Sequence, residues 1–168
     1  QQNMDGGAIT MCGVHIYGAE KAANNDAPKL LGFNGSINVY MGAGVVKGKA
    51  SIVDFDPARK LSDRVRIVPQ KTENIWMKAP GKKATTPLEH SPMRESVDKG
   101  FLIYGADIDE AFPVVLAILR KSPIQISLKR SGIRDASIMF GVVEMSDAQT
   151  MQLDACIREL YEIDKDDK

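Results

Sequence analysis

The chain has 168 residues, enough for one domain with a sizeable apolar core. Its 22 lysines and arginines match 22 aspartates and glutamates, so the formal net charge is zero. That balance argues against nucleic acid as the partner, and no apolar run reaches the roughly 18 to 20 residues that a membrane-spanning helix needs.

Residues 1–8 are expected to be flexible. The start Gln1-Gln2-Asn3, with no methionine, fits a processed product, and signal-peptide cleavage would leave such an end. Residues 9–17 predict a strand, with Ile9, Met11, Gly13, His15 and Tyr17 on one face and Thr10, Cys12, Val14 and Ile16 on the other. Residues 18–28 read as a polar loop. Residues 36–41 predict a second strand, Gly42-Ala43-Gly44 a turn, and residues 45–55 a third strand, broken or bulged near Gly48. Together they suggest a β-meander.

Residues 56–63 fit one helical turn with Pro57 at its first position. Residues 64–69 predict a strand with Val65 and Ile67 inward and Arg64 and Arg66 outward. Ile75-Trp76-Met77 is a short strand or a loop anchor. Residues 78–99, with three prolines, form the largest irregular region, and Phe101, Leu102, Ile103 and Tyr104 then return to the core.

The strongest apolar patterning lies in residues 106–163. Asp107 or Asp109 can cap a helix, because a carboxylate accepts from the free N–H groups of the first turn. The apolar run 111–119 follows, with Pro113 expected near the helix start and Pro123 ending it. Ile124, Ile126 and Leu128 alternate with Gln125, Ser127 and Lys129, as in a half-buried strand. Residues 137–143 predict the returning strand of a hairpin. Ile138, Phe140 and Val142 fall on one face, Met139, Gly141 and Val143 on the other, and burial is expected to account for these apolar faces. Ser146 with Gln149 is a capping box, and Leu153, Cys156, Ile157, Leu160 and Ile163 follow at helical spacing. The charged tail 164–168 should fray. This ending resembles that of small exported bacterial proteins of the invasion-associated locus B group. The resemblance covers the last third alone and rests on no diagnostic motif, so it transfers no residue and no activity.

Cys12 and Cys156 are the two cysteines, near opposite ends. An even count in an exported chain permits one disulfide; two buried free thiols are the alternative. No zinc pattern is formed by two cysteines and two histidines this scattered.

Nucleotide motifs fail in detail. In the glycine-rich stretch 42–50 the phosphate-loop pattern would put Ala43 at its first glycine and Ala50 at its serine or threonine. His90, in Glu89-His90-Ser91, has no nucleophile elbow near it, and His15 sits on an alternating strand. Asp107, Asp109 and Glu110 could form an acid–base pair or hold a cation, but capping explains them with fewer assumptions.

The expected fold is therefore α+β: one domain over residues 1–168, with a mostly meandering antiparallel sheet of about six to eight strands against two C-terminal helices. No cofactor or metal is implied. The expected function is that of a non-enzymatic exported bacterial protein, periplasmic or secreted, that binds another protein. An inhibitor or immunity protein for a secreted toxin or cell-wall enzyme fits this description. Its contact surface is expected at Trp76, Lys78, Lys82, Lys83, His90 and Arg94, because long loops on a rigid scaffold carry function and tryptophan is a frequent anchor. Against this, Trp76 could simply fill the core. Two further readings are a small hydrolase or ligand-binding enzyme using His90 with acidic partners, and a structural subunit of an envelope assembly.

Overall fold

The computed structural model describes residues 2–5, 8–21, 29–56, 58–60 and 64–162. The element order is β1 (Gln2–Asp5), β2 (Ala8–Lys21), β3 (Lys29–Tyr40), β4 (Ala43–Phe55), β5 (Val65–Gln70), β6 (Thr72–Lys78), β7 (Arg94–Glu95), β8 (Leu102–Asp107), α1 (Ile108–Leu119), β9 (Ile124–Arg130), β10 (Ser137–Gly141) and α2 (Asp147–Leu160). The fold is α+β, with both helices C-terminal. Its described strands form two sheets instead of one. The large sheet has the order β1-β2-β3-β4-β8-β7, with β5 also on β4; the small sheet has the order β10-β9-β6.

Alternation decides which face of the large sheet is covered. Cys12, Val14 and Ile16 of β2, Phe33, Ile37 and Val39 of β3, Val46 and Ala50 of β4, and Tyr104 and Ala106 of β8 are all buried. The antiparallel register sets these residues side by side, so they share one face. Helix α1 and the small sheet cover that face, and α2 packs on β2.

Strand β4 is the hub. Its first half pairs with β8, from Ala43↔Asp107 to Gly48↔Leu102, and its second half with β5, from Ala50↔Gln70 to Phe55↔Val65. The expected break at Gly48 is absent: β3 and β4 pair without a register shift, with Gly35 opposite Gly48. These glycines have another cause. A Cβ on Gly48 would lie 2.6 Å from the Phe33 ring, so the ring occupies the room they leave. Gly44 likewise lets α1 approach, since a Cβ there would lie 2.2 Å from that of Ala111.

The strands are also longer than the sequence reading predicted. Residues 2–5, expected to be flexible, pair with β2, and residues 18–21, expected to be loop, continue β2. The remainder of the 18–28 loop, much of the 56–63 turn and the 164–168 tail lie outside the described residues. Val65 and Ile67, expected inward, are 56% and 64% exposed. The register pairs Val65 with Phe55 and Ile67 with Val53, which sets both on the outer face of the large sheet, while Val68 pairs with Ile52 on the inward face. Pro113 sits sixth in α1 and not near its start. The helix continues through it, because the carbonyl it leaves without a donor belongs to the exposed Asp109.

The helix ends follow their chemistry. Asp107 Oδ1 accepts from Asp109 N at 2.8 Å. At the other end Ser122 N donates to Ala117 O and Lys121 N to Ile118 O, with Lys121 in the left-handed region. The capping box of α2 is closed both ways: Gln149 N donates to Ser146 Oγ, and Ser146 N donates to Gln149 Oε1. Cys12 and Cys156 are bonded, with Cα atoms 5.8 Å apart, so β2 is tied covalently to α2.

Candidate functional site

The small sheet has one covered face and one open face. Inward, Ile75 and Met77 of β6, Ile124, Ile126 and Leu128 of β9, and Met139 of β10 are buried. Outward, the register places Trp76 opposite Ser127 and Ser127 opposite Ile138; the next row is Lys78, Gln125 and Phe140. Residues so paired lie on the same face. Ile138 is 54% exposed and Phe140 69%. Trp76 is half-buried, so it neither fills the core nor stands free. Ser127, between Trp76 and Ile138, is buried, and Gln125 Nε2 donates to its Oγ at 2.9 Å. The open face thus carries an aromatic residue on each outer strand and a hydrogen-bonded polar pair on the central one.

Its two edges differ. At β6 the following segment folds back: Met77 N donates to Thr85 Oγ1 at 2.9 Å, Thr85 N donates to Met77 O at 2.8 Å, and Lys78 bridges to Ala84. Thr85 is itself held from behind, by the buried Tyr104 hydroxyl at 2.7 Å. Burial pushes that phenol well above its usual range, so it stays a neutral hydrogen-bonding group. At β10 no described strand pairs beyond residues 137–141, and none of those residues is charged. A strand edge with free N–H and C=O groups and no charged or proline guard can receive another strand.

The six residues singled out in the sequence fall in four places. Trp76 and Lys78 lie on the open face of the small sheet. Lys82 and Lys83 line a cleft with Asp107, Asp109 and Glu110 at the start of α1. There Glu110 Oε2 accepts from both Thr86 N and Thr86 Oγ1, at 2.8 and 2.9 Å, fastening the segment to the helix. His90 is exposed in the turn spanned by the Leu88–Ser91 bridge, and Arg94 is on β7 opposite Ile103, at the margin of the large sheet. Among the described residues no group of three or more His, Cys, Asp or Glu side chains is arranged to hold a metal ion. His90 does not line the cleft that holds Lys82, Lys83 and the acidic start of α1, so that acidic cluster and His90 are not brought together there.

On the outer face of the large sheet, His15 stacks on Tyr17 and its Nε2 lies 2.6 Å from Asn34 Oδ1. Lys47 and Lys49 lie over the Phe101 ring. Lys47 also pairs with Asp98, and that hydrogen bond, with the charge behind it, holds the Asp98 carboxyl below its usual range. These contacts engage polar groups in the middle of the face, while its end at β5 exposes Val65 and Ile67.

Ile138 and Phe140 were absent from the sequence-based site. One signal could have found them. In residues 137–143 both alternating sets are apolar, more than a strand with one buried face requires. No protein-family model, no curated protein and no solved structure matches this chain, so the site stands on its own geometry.

Proposed function

We propose that this chain is a non-enzymatic binding protein of an oxidising compartment, periplasmic or extracellular, that takes up an extended segment of another protein along β10. The observation that carries this reading is the open edge of β10, with Ile138 and Phe140 exposed on a strand that has no charge. Main-chain hydrogen bonds at the edge would supply affinity, and the face from Phe140 to Trp76 would select alternate side chains of the partner. The buried bond between Cys12 and Cys156 supports the compartment, because such bonds persist where thiols are not kept reduced. Inhibition of a secreted toxin or cell-wall enzyme, or immunity to it, is one use such a surface would serve.

A photoreactive cross-linker placed at position 140 tests it in the producing cell's envelope. A discrete cross-linked partner is expected, lost in Ile138→Lys and weakened in Trp76→Ala. Lysines at Val65 and Ile67, on the margin of the other sheet, should leave capture unchanged. Equal loss from both margins, or cross-links independent of Ile138, would overturn the reading.

A further inference from the structure

We infer that the open end of the sandwich, between the two sheets, binds a small amphiphile: an alkyl or aryl body carrying one carboxylate. The argument starts from two rows of inward residues. On β2 the inward positions run Cys12, Val14, Ile16, Gly18 and end at Glu20; on β9 they run Ile124, Ile126, Leu128 and end at Arg130. Both apolar rows finish in a charge at the same end of the molecule, and both charged residues line one cleft.

The floor of that cleft is a single row across four strands. Glu20 pairs with Leu31, Leu31 with Ile52 and Ile52 with Val68. Arg130 at the end of β9, with Ile133 and Ala136 of the β9–β10 connection, forms the opposite wall. The space is about 720 Å³, within the range that holds a small organic ligand. Three of the four floor residues are apolar, so the body of the ligand is apolar.

Arg130 sets the head group. Its Nε is buried and meets no acceptor among the described residues. A buried donor without a partner is costly, and a guanidinium matches the two oxygens of a carboxylate. The cleft also holds Lys21, Asp54 and Asp135, so the wall is mixed in sign and the unpaired donor decides what the ligand must bring. Burial raises the Glu20 carboxyl above its usual range. Ile138 reaches the rim of this cleft, but Arg130 lies on the inward face. Its substitution therefore separates this inference from strand addition at β10.

The experiment titrates the full chain with decanoate, decanol and decylammonium, read by calorimetry and by displacement of anilinonaphthalene sulfonate. Decanoate should bind best, with decanol weaker by about tenfold or more, as expected for loss of a charge-assisted hydrogen bond. Arg130→Lys keeps the charge and removes the Nε donor; it should weaken decanoate about tenfold and leave decanol unchanged. Val68→Trp fills the floor and should abolish both. Thermal melts of each variant verify the fold. Decanoate binding no tighter than decanol, or untouched by Arg130→Lys in a folded variant, overturns the carboxylate assignment. No displacement by any of the three overturns the site.

Discussion

Removing the bond between Cys12 and Cys156 should cost about 5 kcal/mol of stability. The perturbation is the double variant C12A/C156A, with the wild type reduced by dithiothreitol as an independent route to the same state. The bonded residues are 144 positions apart. In the chain-entropy treatment, a loop of that length removes about 17 cal/mol/K from the unfolded chain, or about 5 kcal/mol at 25 °C. The sulfurs are also buried, so their loss leaves a small void that adds to the cost. A domain of this size is stable by only about 5 to 15 kcal/mol, so the variant should keep between none and two thirds of its stability. Helix α2 has little else to hold it, since it buries Leu153, Cys156, Ile157 and Leu160 and exposes most of the rest. Urea unfolding, followed by the single tryptophan and by far-ultraviolet circular dichroism, reads the difference. A loss below about 1 kcal/mol with an unchanged denaturant slope would refute the reasoning, because the cross-link would then not restrict the unfolded chain.

Two further substitutions probe contacts that position the site. Gly44→Ala should destabilise by about 1 to 3 kcal/mol by pushing α1 off the large sheet, and Ala111→Gly in the same chain should restore part of it. Additive losses in urea unfolding would show that the two positions do not touch. Thr85→Val should cost about 2 to 3 kcal/mol, since it orphans the Met77 N–H and leaves the Tyr104 hydroxyl only the Thr85 carbonyl at 3.4 Å, whereas Tyr104→Phe should cost about 1 kcal/mol. The reverse order in thermal melts would place the anchor of this segment elsewhere.

What the sequence made legible is local chemistry. Asp107 as a cap, the Ser146–Gln149 box and the alternation of Ile124, Ile126 and Leu128 are each set by residues within a few positions of one another. The pairing of Cys12 with Cys156 was reachable because only two cysteines exist. Coverage is another matter. Alternation separates two faces and does not say which one meets the rest of the protein. Val65 and Ile67 look inward by pattern and are exposed because their register with Phe55 and Val53 sets them on the outer face of the large sheet. Phe140 is exposed for a related reason: the core side of β10 is taken by Met139. The pairing of β4 with β8 was also hidden, since it joins residues about 60 positions apart that share no local signal. Lys82 and Lys83 meet the acidic start of α1 for the same non-local reason.

The unequal edges of the small sheet limit how far it can grow. A sheet with two open edges can accept a strand on one side and present itself as a strand on the other, and repeated units then extend without end. Here Thr85 and Ala84 engage Met77 and Lys78 at the end of β6, whereas no described strand pairs with the outer edge of β10. A strand added at β10 therefore meets a sheet whose other side is already engaged at Met77 and Lys78. Two copies meeting through it would form a closed pair and not a fibre. A surface apolar enough to bind an extended segment thus remains compatible with a protein that stays discrete.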